Sequence, residues 1–372
     1  MKILSCLCSY KGCLSSKEAN ETILKINNSK HPDIQMDCFS FADGGEGTLS
    51  AMKNIYPDRE IGTYLIPGPL KCNSVEAEYG IRKDKRIIET SKVLGLNLNP
   101  SLDFDHTTSY GLGVLLRYGL RNGIRKFSVG LGGSATADQG AGARYALGYR
   151  FYGKEGKEFF PLSGNLGRIE SIDSSKADQR LKECSYTLLA DVKSPLFGSN
   201  GSTFLFSEQK GAKKDKLHFY ENGMKHFNSV LVNCGVSDVS MFPSSGAAGG
   251  LGSFFYRVGK TNVLSGAEFL LKEAHRKERI NYYDYVLLGE GHTDKSTLEG
   301  KSITARLDLI IGSNAKAVLL SGLVDENVRI SLKEKGVSFF YPLHPMVCKD
   351  YQKNAKEDLG KAYEKFLSSI EK

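Results

Sequence analysis

Acidic residues and glycines stand together at several points in this chain, in the combination that phosphate chemistry uses. Asp43 and Glu46 lie in D-G-G-E-G-T at 43–48, around Gly44, Gly45 and Gly47. Asp138 lies in G-L-G-G-S-A-T-A-D-Q-G-A-G at 130–142, after Gly132, Gly133 and Ser134. Asp191 follows the apolar run 187–190 and precedes V-K-S-P-L. Glu290, His292 and Asp294 lie in G-E-G-H-T-D at 289–294. G-S-N-G, Q-K-G-A (with Lys210 and Gly211) and G-A-A-G-G-L-G add further glycine segments. A glycine loop between a strand and a helix brings backbone N–H groups close to an anion, and the helix dipole favours the negative charge. Several such loops in one chain point to a polyanionic ligand, most simply a nucleotide. Phosphoryl transfer then needs Mg²⁺ ligands, cationic clamps and a carboxylate for the attacking hydroxyl. The carboxylates beside these loops are the candidates, and Lys11, Lys210 and Lys301 are candidate anion partners. Each of these residues taken singly also suits a cap, a turn or a plain surface.

The familiar nucleotide cradles are missing. Gly259-Lys260-Thr261 and Gly300-Lys301-Ser302 supply the end of a P-loop motif, but Phe254 and Lys295 stand where its first glycine belongs. No G-x-G-x-x-G follows a strand, and the H-R-D and D-F-G pair of protein kinases is absent.

Positioning these loops falls to alternating strands and helices. Residues 2–7 read as a buried strand, and Ser15 or Ser16 caps the helix that follows, with Glu18 in its first turn. Residues 34–41 read as a second strand, which D-G-G-E-G-T turns into another helix. Residues 61–66, 74–79 and 86–89 are short β-rich pieces separated by P-G-P and K-D-K turns. A helix over 107–121, a strand over 126–130, a helix over 141–147, a strand over 186–189 and a long helix over 215–232 follow. From 285 the chain returns to strand–helix alternation and ends in an amphipathic helix over 355–370. The two ends share one style and the middle another. The expected fold class is therefore α/β, with residues 1–59 and 282–372 forming one discontinuous parallel-sheet domain. Residues 60–281 would be an inserted α/β domain with a mixed sheet.

Composition bounds the partners. The chain has 372 residues, 40% hydrophobic and 25% charged, which suits globular cores and argues against disorder. Its 40 glycines carry no collagen period. The net charge of +8 is not gathered into a stripe, so it favours small anionic substrates over nucleic acid. No run approaches a membrane span, and the first apolar run stops too early for a signal peptide, so a cytoplasmic location without membrane attachment is expected. Eight scattered cysteines fit reduced thiols; Cys6, Cys8 and Cys13 lack the C-x-x-C or histidine of a zinc set. Oligomeric state is open, a homo-oligomer among the options.

Taken in order, S-Y-K at 9–11, F-A-D-G-G-E-G-T, G-L-G-G-S-A-T-A-D, A-D-V-K-S-P-L, Q-K-G-A, G-A-A-G-G-L-G and G-E-G-H-T-D-K-S-T-L-E-G-K resemble the motifs of the type 1 glycerate kinases over nearly the whole chain. The resemblance implies a flavodoxin-like discontinuous domain, a second α/β domain, and ATP-dependent phosphorylation of a hydroxyl of D-glycerate, with 2-phosphoglycerate favoured as product. It implies Asp191 as the base, with Asp294 and Lys11 as further catalytic candidates. Ser9, Lys11, Asp43, Gly44, Gly45, Glu46 and His292 would hold the substrate. Gly132, Gly133, Ser134, Lys210 and Gly211 would face ATP, and Glu290 and Asp294 would position Mg²⁺ or phosphate. Kinase action on another small hydroxy acid, or a catalytically weak nucleotide-binding relative, are the alternatives. Five positions depart from the family pattern: Cys8 where Asp is usual, Ala137 for Asn, Gln139 for Gly, His292 for Arg and Ser296 for Gln. Histidine lacks the permanent charge and bidentate geometry of arginine, so the change at 292 bears on the substrate carboxylate.

Overall fold

The computed structural model describes residues 1–10, 13–39, 45, 47–55, 60–70, 73–274, 280–298, 302–343 and 354–370. The chain forms two compact units. One comprises Met1–Asp43, Ser50–Pro57 and Gly266–Lys372; the other comprises Gly44–Leu49 and Asp58–Ser265.

The first unit is built on a five-stranded parallel sheet. Its strands run in the order Val337–Pro342, Lys316–Ser321, Tyr285–Gly289, Lys2–Leu7, Gln35–Cys38. Counted along this unit, that is the order 2-1-3-4-5 of flavodoxin-like doubly wound sheets. Central strands buried on both faces need continuous apolar runs, and Ile3, Leu4, Leu7, Val286, Leu287, Leu288, Val318, Leu319 and Leu320 supply them. The helices Ser16–Lys30 and Ala355–Ile370 bury Ile23, Leu359, Tyr363 and Phe366 in the same core. Ser15 is the cap of the first helix: its hydroxyl accepts from Glu18 N, and the Glu18 carboxylate accepts from Ser15 N at 2.8 Å. The second strand is shorter than its apolar pattern suggests and ends at Cys38.

The second unit carries a six-stranded mixed sheet. Its order is Lys260–Leu264, Ser185–Leu189, Lys126–Gly130, Lys85–Glu89, Ser74–Arg82, Ile61–Pro67. The first four are parallel and the last two form an antiparallel hairpin at the edge. The half-polar alternation of 61–67 follows from that edge position, with Leu65 exposed and Ile66 buried. Helices Tyr110–Arg121 and Ala247–Val258 cover the sheet with Leu112, Leu116, Leu251, Phe254 and Phe255. The long helix occupies Leu217–Asn233, entered through a tight turn at Lys214–Lys216.

Helix Tyr110–Arg121 lies so close to helix Ala141–Ala146 that a Cβ on Gly113 would fall 2.4 Å from the Ala143 carbonyl oxygen. Gly113→Val should therefore lower the stability of the second unit by about 1–3 kcal/mol through overpacking. Chemical denaturation followed by tryptophan-free probes such as far-UV dichroism reads this directly; an unchanged midpoint would show that the helices separate at no cost.

Candidate active site

In open parallel sheets, ligands bind beyond the carboxyl ends of the strands, at the point where strand order reverses. In the first unit that point lies between Lys2–Leu7 and Tyr285–Gly289. Ser9 and the Glu290–Asp294 turn emerge there, stitched by Cys8 N donating to Gly289 O at 2.8 Å. Ser9 is exposed. Asn20 is buried and fixes the strand end ahead of Ser9: its Oδ1 accepts from Leu7 N at 3.1 Å and its Nδ2 donates to Leu7 O at 3.0 Å. Glu290 Oε1 accepts from Thr297 Oγ1 at 2.7 Å and from Thr293 Oγ1 at 3.3 Å. Burial raises the Glu290 carboxyl above its usual value, while those hydroxyls and the Arg306 guanidinium oppose the rise. Asp294 lies one turn on, its N–H bonded to Thr297 Oγ1 at 3.2 Å. His292 is half exposed and pairs through Nε2 with Asp325 Oδ1 at 2.9 Å. Cys8 is buried, and its sulfur accepts from Arg306 Nη1. Arg306 and Asn20 escape sequence reasoning because both sit within ordinary helix patterns.

The second unit gathers most of the glycine segments at the carboxyl edge of its parallel strands. Gly130 is in register with Glu89 on one side and Leu189 on the other. Gly132 is half-buried, Gly133 exposed and Ser134 buried. Asp191 stands one residue beyond the last ladder bond, from Ala190 N to Leu264 O at 3.0 Å. Ser244 Oγ donates to Val192 O at 2.7 Å and holds the backbone just after it. Gly249 adopts φ +70°, and a Cβ there would fall 2.0 Å from Thr136 O, so G-A-A-G-G-L-G packs its backbone directly on the 130–142 loop.

That loop is organised from behind. Asp138 is fully buried; its carboxylate accepts from Ser109 N (2.7 Å), Ser109 Oγ (2.8 Å), Gly140 N (3.1 Å) and Gly142 N (3.0 Å). Lys210 is also buried, its Nζ donating to Thr136 O at 2.8 Å and Ser134 Oγ at 3.1 Å. Gly211, with φ +99°, turns the chain immediately after it. Ala137 N donates to Ser163 Oγ at 2.9 Å. Gln139 keeps a left-handed φ of +51° despite its side chain. With its amide turned, the oxygen accepts from Arg257 Nη1 at 3.0 Å and the nitrogen donates to Met224 O at 3.2 Å. Of the D-G-G-E-G-T segment, Gly45 is buried and its carbonyl accepts from Thr48 Oγ1 at 2.8 Å. Lys11, Asp43, Gly44, Glu46 and Lys301 lie outside the described residues, as does the Ser296 side chain.

A family model described as the glycerate kinase family matches residues 3–371. The chain belongs to the glycerate kinase family. It is 33% identical to a glycerate kinase of Bacillus cereus, covering 96% of this chain and 95% of that protein. It is 35% identical to a glycerate 2-kinase of Escherichia coli K12, covering 81% and 80%. The crystal structure of a candidate glycerate kinase 2 from Salmonella typhimurium LT2 superposes with a TM-score of 0.81 at 29% identity, covering 100% of this chain and 98% of that one. The chain is thus an enzyme of a kinase family with the expected α/β fold, and ATP is the phosphoryl donor that such a family implies. Among the described residues, no helix is long and apolar enough to cross a membrane.

The Asp138 carboxylate satisfies buried donors that an amide cannot all serve. Asp138→Asn should cost about 1–3 kcal/mol, read by denaturation; equal stability would show that water replaces the lost acceptor. Lys210 provides a pH signature. Burial lowers its ammonium from 10.5 to about 7, with Asp138 opposing. Between those values the unfolded chain holds the extra proton, so this group makes stability rise as pH rises from about 7 to about 10.5. The neutral amine still donates both of its hydrogen bonds. Comparing denaturation midpoints of wild type and Lys210→Met at pH 6.5 and 9.5 (roughly the two sides of that window) should show wild type gaining on the variant at the higher pH. A constant difference would mean that Lys210 titrates normally.

Proposed function

We propose that this chain transfers the γ-phosphoryl group of ATP to a hydroxyl of D-glycerate, with the 2-hydroxyl favoured, giving 2-phosphoglycerate and ADP. The observation that carries this reading is the place of Asp191. It follows the strand Ser185–Leu189, which lies directly beside the strand leading into the Gly130–Asp138 loop. A carboxylate there stands at the edge where that loop presents backbone to a phosphate chain. Asp191 takes the proton of the acceptor hydroxyl as its oxygen bonds to the γ-phosphorus. The bond from phosphorus to the β–γ bridging oxygen breaks, and ADP leaves with that electron pair. Gly132, Gly133 and Ser134 face the nucleotide phosphates. Lys210 and Gly211 support that loop, the lysine by fixing Ser134 and Thr136. Ser9, Lys11, the 43–47 segment and His292 receive the acceptor acid.

Glu290 and Asp294 fit a Mg²⁺ ion that is carried mainly by the nucleotide. Among the described residues no group of three His, Cys, Asp or Glu converges as a protein-only cage. Mg²⁺ bound with phosphates usually takes only one or two carboxylates. Glu290 is oriented for that task by two threonine hydroxyls. When bound, the ion neutralises charge on the transferring phosphoryl group. The two compact units correspond, in this reading, to a discontinuous domain of both chain ends and an inserted domain. A reducing cytoplasm is the proposed compartment, in keeping with Cys6, Cys8 and Cys184, which are buried as thiols.

A coupled ADP-release assay with D-glycerate and a panel of small hydroxy acids tests the reading. Turnover with D-glycerate is expected, and Asp191→Asn should lower kcat by roughly 10²–10⁴-fold with the fold intact. Near-wild-type turnover in that variant would remove Asp191 from the chemistry. Turnover with another acid alone would reassign the acceptor, and ATP binding without turnover would leave a nucleotide-binding relative.

A further inference from the structure

The strand Lys85–Glu89 ends beside Gly130, and its last residue carries a carboxylate absent from every motif considered above. Glu89 is 0% exposed. Its Oε1 accepts from Gly47 N at 3.0 Å and from Ser91 Oγ at 2.8 Å, and its Oε2 accepts from Leu49 N at 3.0 Å. Gly47 and Leu49 stand at the start of helix Thr48–Ile55, where N–H groups find no partner inside the helix. The next residue reaches the other way: Thr90 Oγ1 lies 2.7 Å from Gly130 O and 3.0 Å from Gly132 O. Ser91 then abuts the glycine pair itself, its Cβ lying 3.1 Å from the position a Cβ would take on Gly133. One tripeptide, Glu89-Thr90-Ser91, thus touches both the end of D-G-G-E-G-T and the start of G-L-G-G-S-A-T.

We propose that Glu89 is a positioning residue for the acceptor loop, setting the Gly47–Leu49 backbone in place against the Gly130–Ser134 loop. This rests on the functional reading above, in which the first loop receives the acceptor acid and the second the nucleotide phosphates. The arrangement calls for an acceptor at both oxygens of the side chain. Two backbone N–H groups and one hydroxyl converge on it from different directions, and only an acceptor-only group serves them all. A glutamine keeps one acceptor oxygen and turns an NH₂ against a backbone N–H. Because the two donors belong to one loop and the Thr90 contacts to the other, the two substrates should respond separately.

The experiment compares wild type, Glu89→Gln and Thr90→Val by amide hydrogen exchange and by steady-state kinetics with ATP and D-glycerate. Glu89→Gln should speed exchange in peptides covering 47–55 by about tenfold or more, with peptides covering 129–137 unchanged. It should raise KM for D-glycerate by a similar factor and leave KM for ATP within about twofold. Thr90→Val should show the opposite pattern. Exchange that rises equally in both segments, KM values that rise together, or no change in either readout would overturn the assignment and leave Glu89 as general scaffolding. If the wild-type chain fails to turn over D-glycerate, the functional reading falls, and the exchange comparison alone decides whether Glu89 holds the loop.

Discussion

Donors buried in a glycine-rich loop must find acceptors, because an N–H left unpaired away from water is costly. In the second unit this constraint rests on Asp138. Its buried carboxylate collects the Ser109 N–H and hydroxyl together with the Gly140 and Gly142 N–H groups. The loop's return path and the start of helix Tyr110–Arg121 are tied to one point. A carboxylate carries enough acceptor sites to do this, and burial without those donors would be prohibitive. Burial raises the Asp138 carboxyl, and each of its hydrogen bonds pulls it back down. The glycines and alanines around it follow from the crowding: backbone meets backbone at Gly249 and Thr136 with no room for a side chain.

Charge is arranged differently behind the loops and in front of them. The buried supports are Asp138, Glu89 and Lys210, each saturated by backbone or hydroxyl partners. They fix the geometry of the loops from within. The exposed or half-exposed groups at the strand ends are Ser9, Asp191, His292 and Asp294. This division explains why lysine in Q-K-G-A is conspicuous as a motif residue and yet lies 3% exposed. It also gives two of the departures a structural setting. Gln139 holds the left-handed turn expected of glycine and uses its amide to brace Arg257 and Met224. His292 is paired with Asp325 on the surface of the first unit.

Much of the scaffold was legible in the sequence. Strands such as Lys2–Leu7, Lys126–Gly130 and Tyr285–Gly289 are mainly apolar runs, broken in the first two by the buried Ser5 and Ser128, and buried parallel strands demand that pattern. The terminal helix and the capped first helix carry periodicity and a capping box that are local properties. Helix Ala247–Val258 and strand Lys260–Leu264 were less legible. Their glycines hide the periodicity, and three consecutive residues at 248–250 leave helical backbone angles altogether.

The sequence by itself determined the glycine segments, the carboxylates beside them and the alternation of strand and helix, because each depends on residue type and short spacing. It also determined the family, since those segments occur in one order along the chain. Only the tertiary structure decided which residues support the loops. Glu89 reads as the end of a strand, Asn20 and Arg306 as helix positions, and Ser163 belongs to no motif. Each acquires its role from partners distant in sequence, such as Gly47 for Glu89 and Ala137 for Ser163. Buried donors and acceptors must be satisfied wherever the fold brings them together, and that accounting is written in three dimensions.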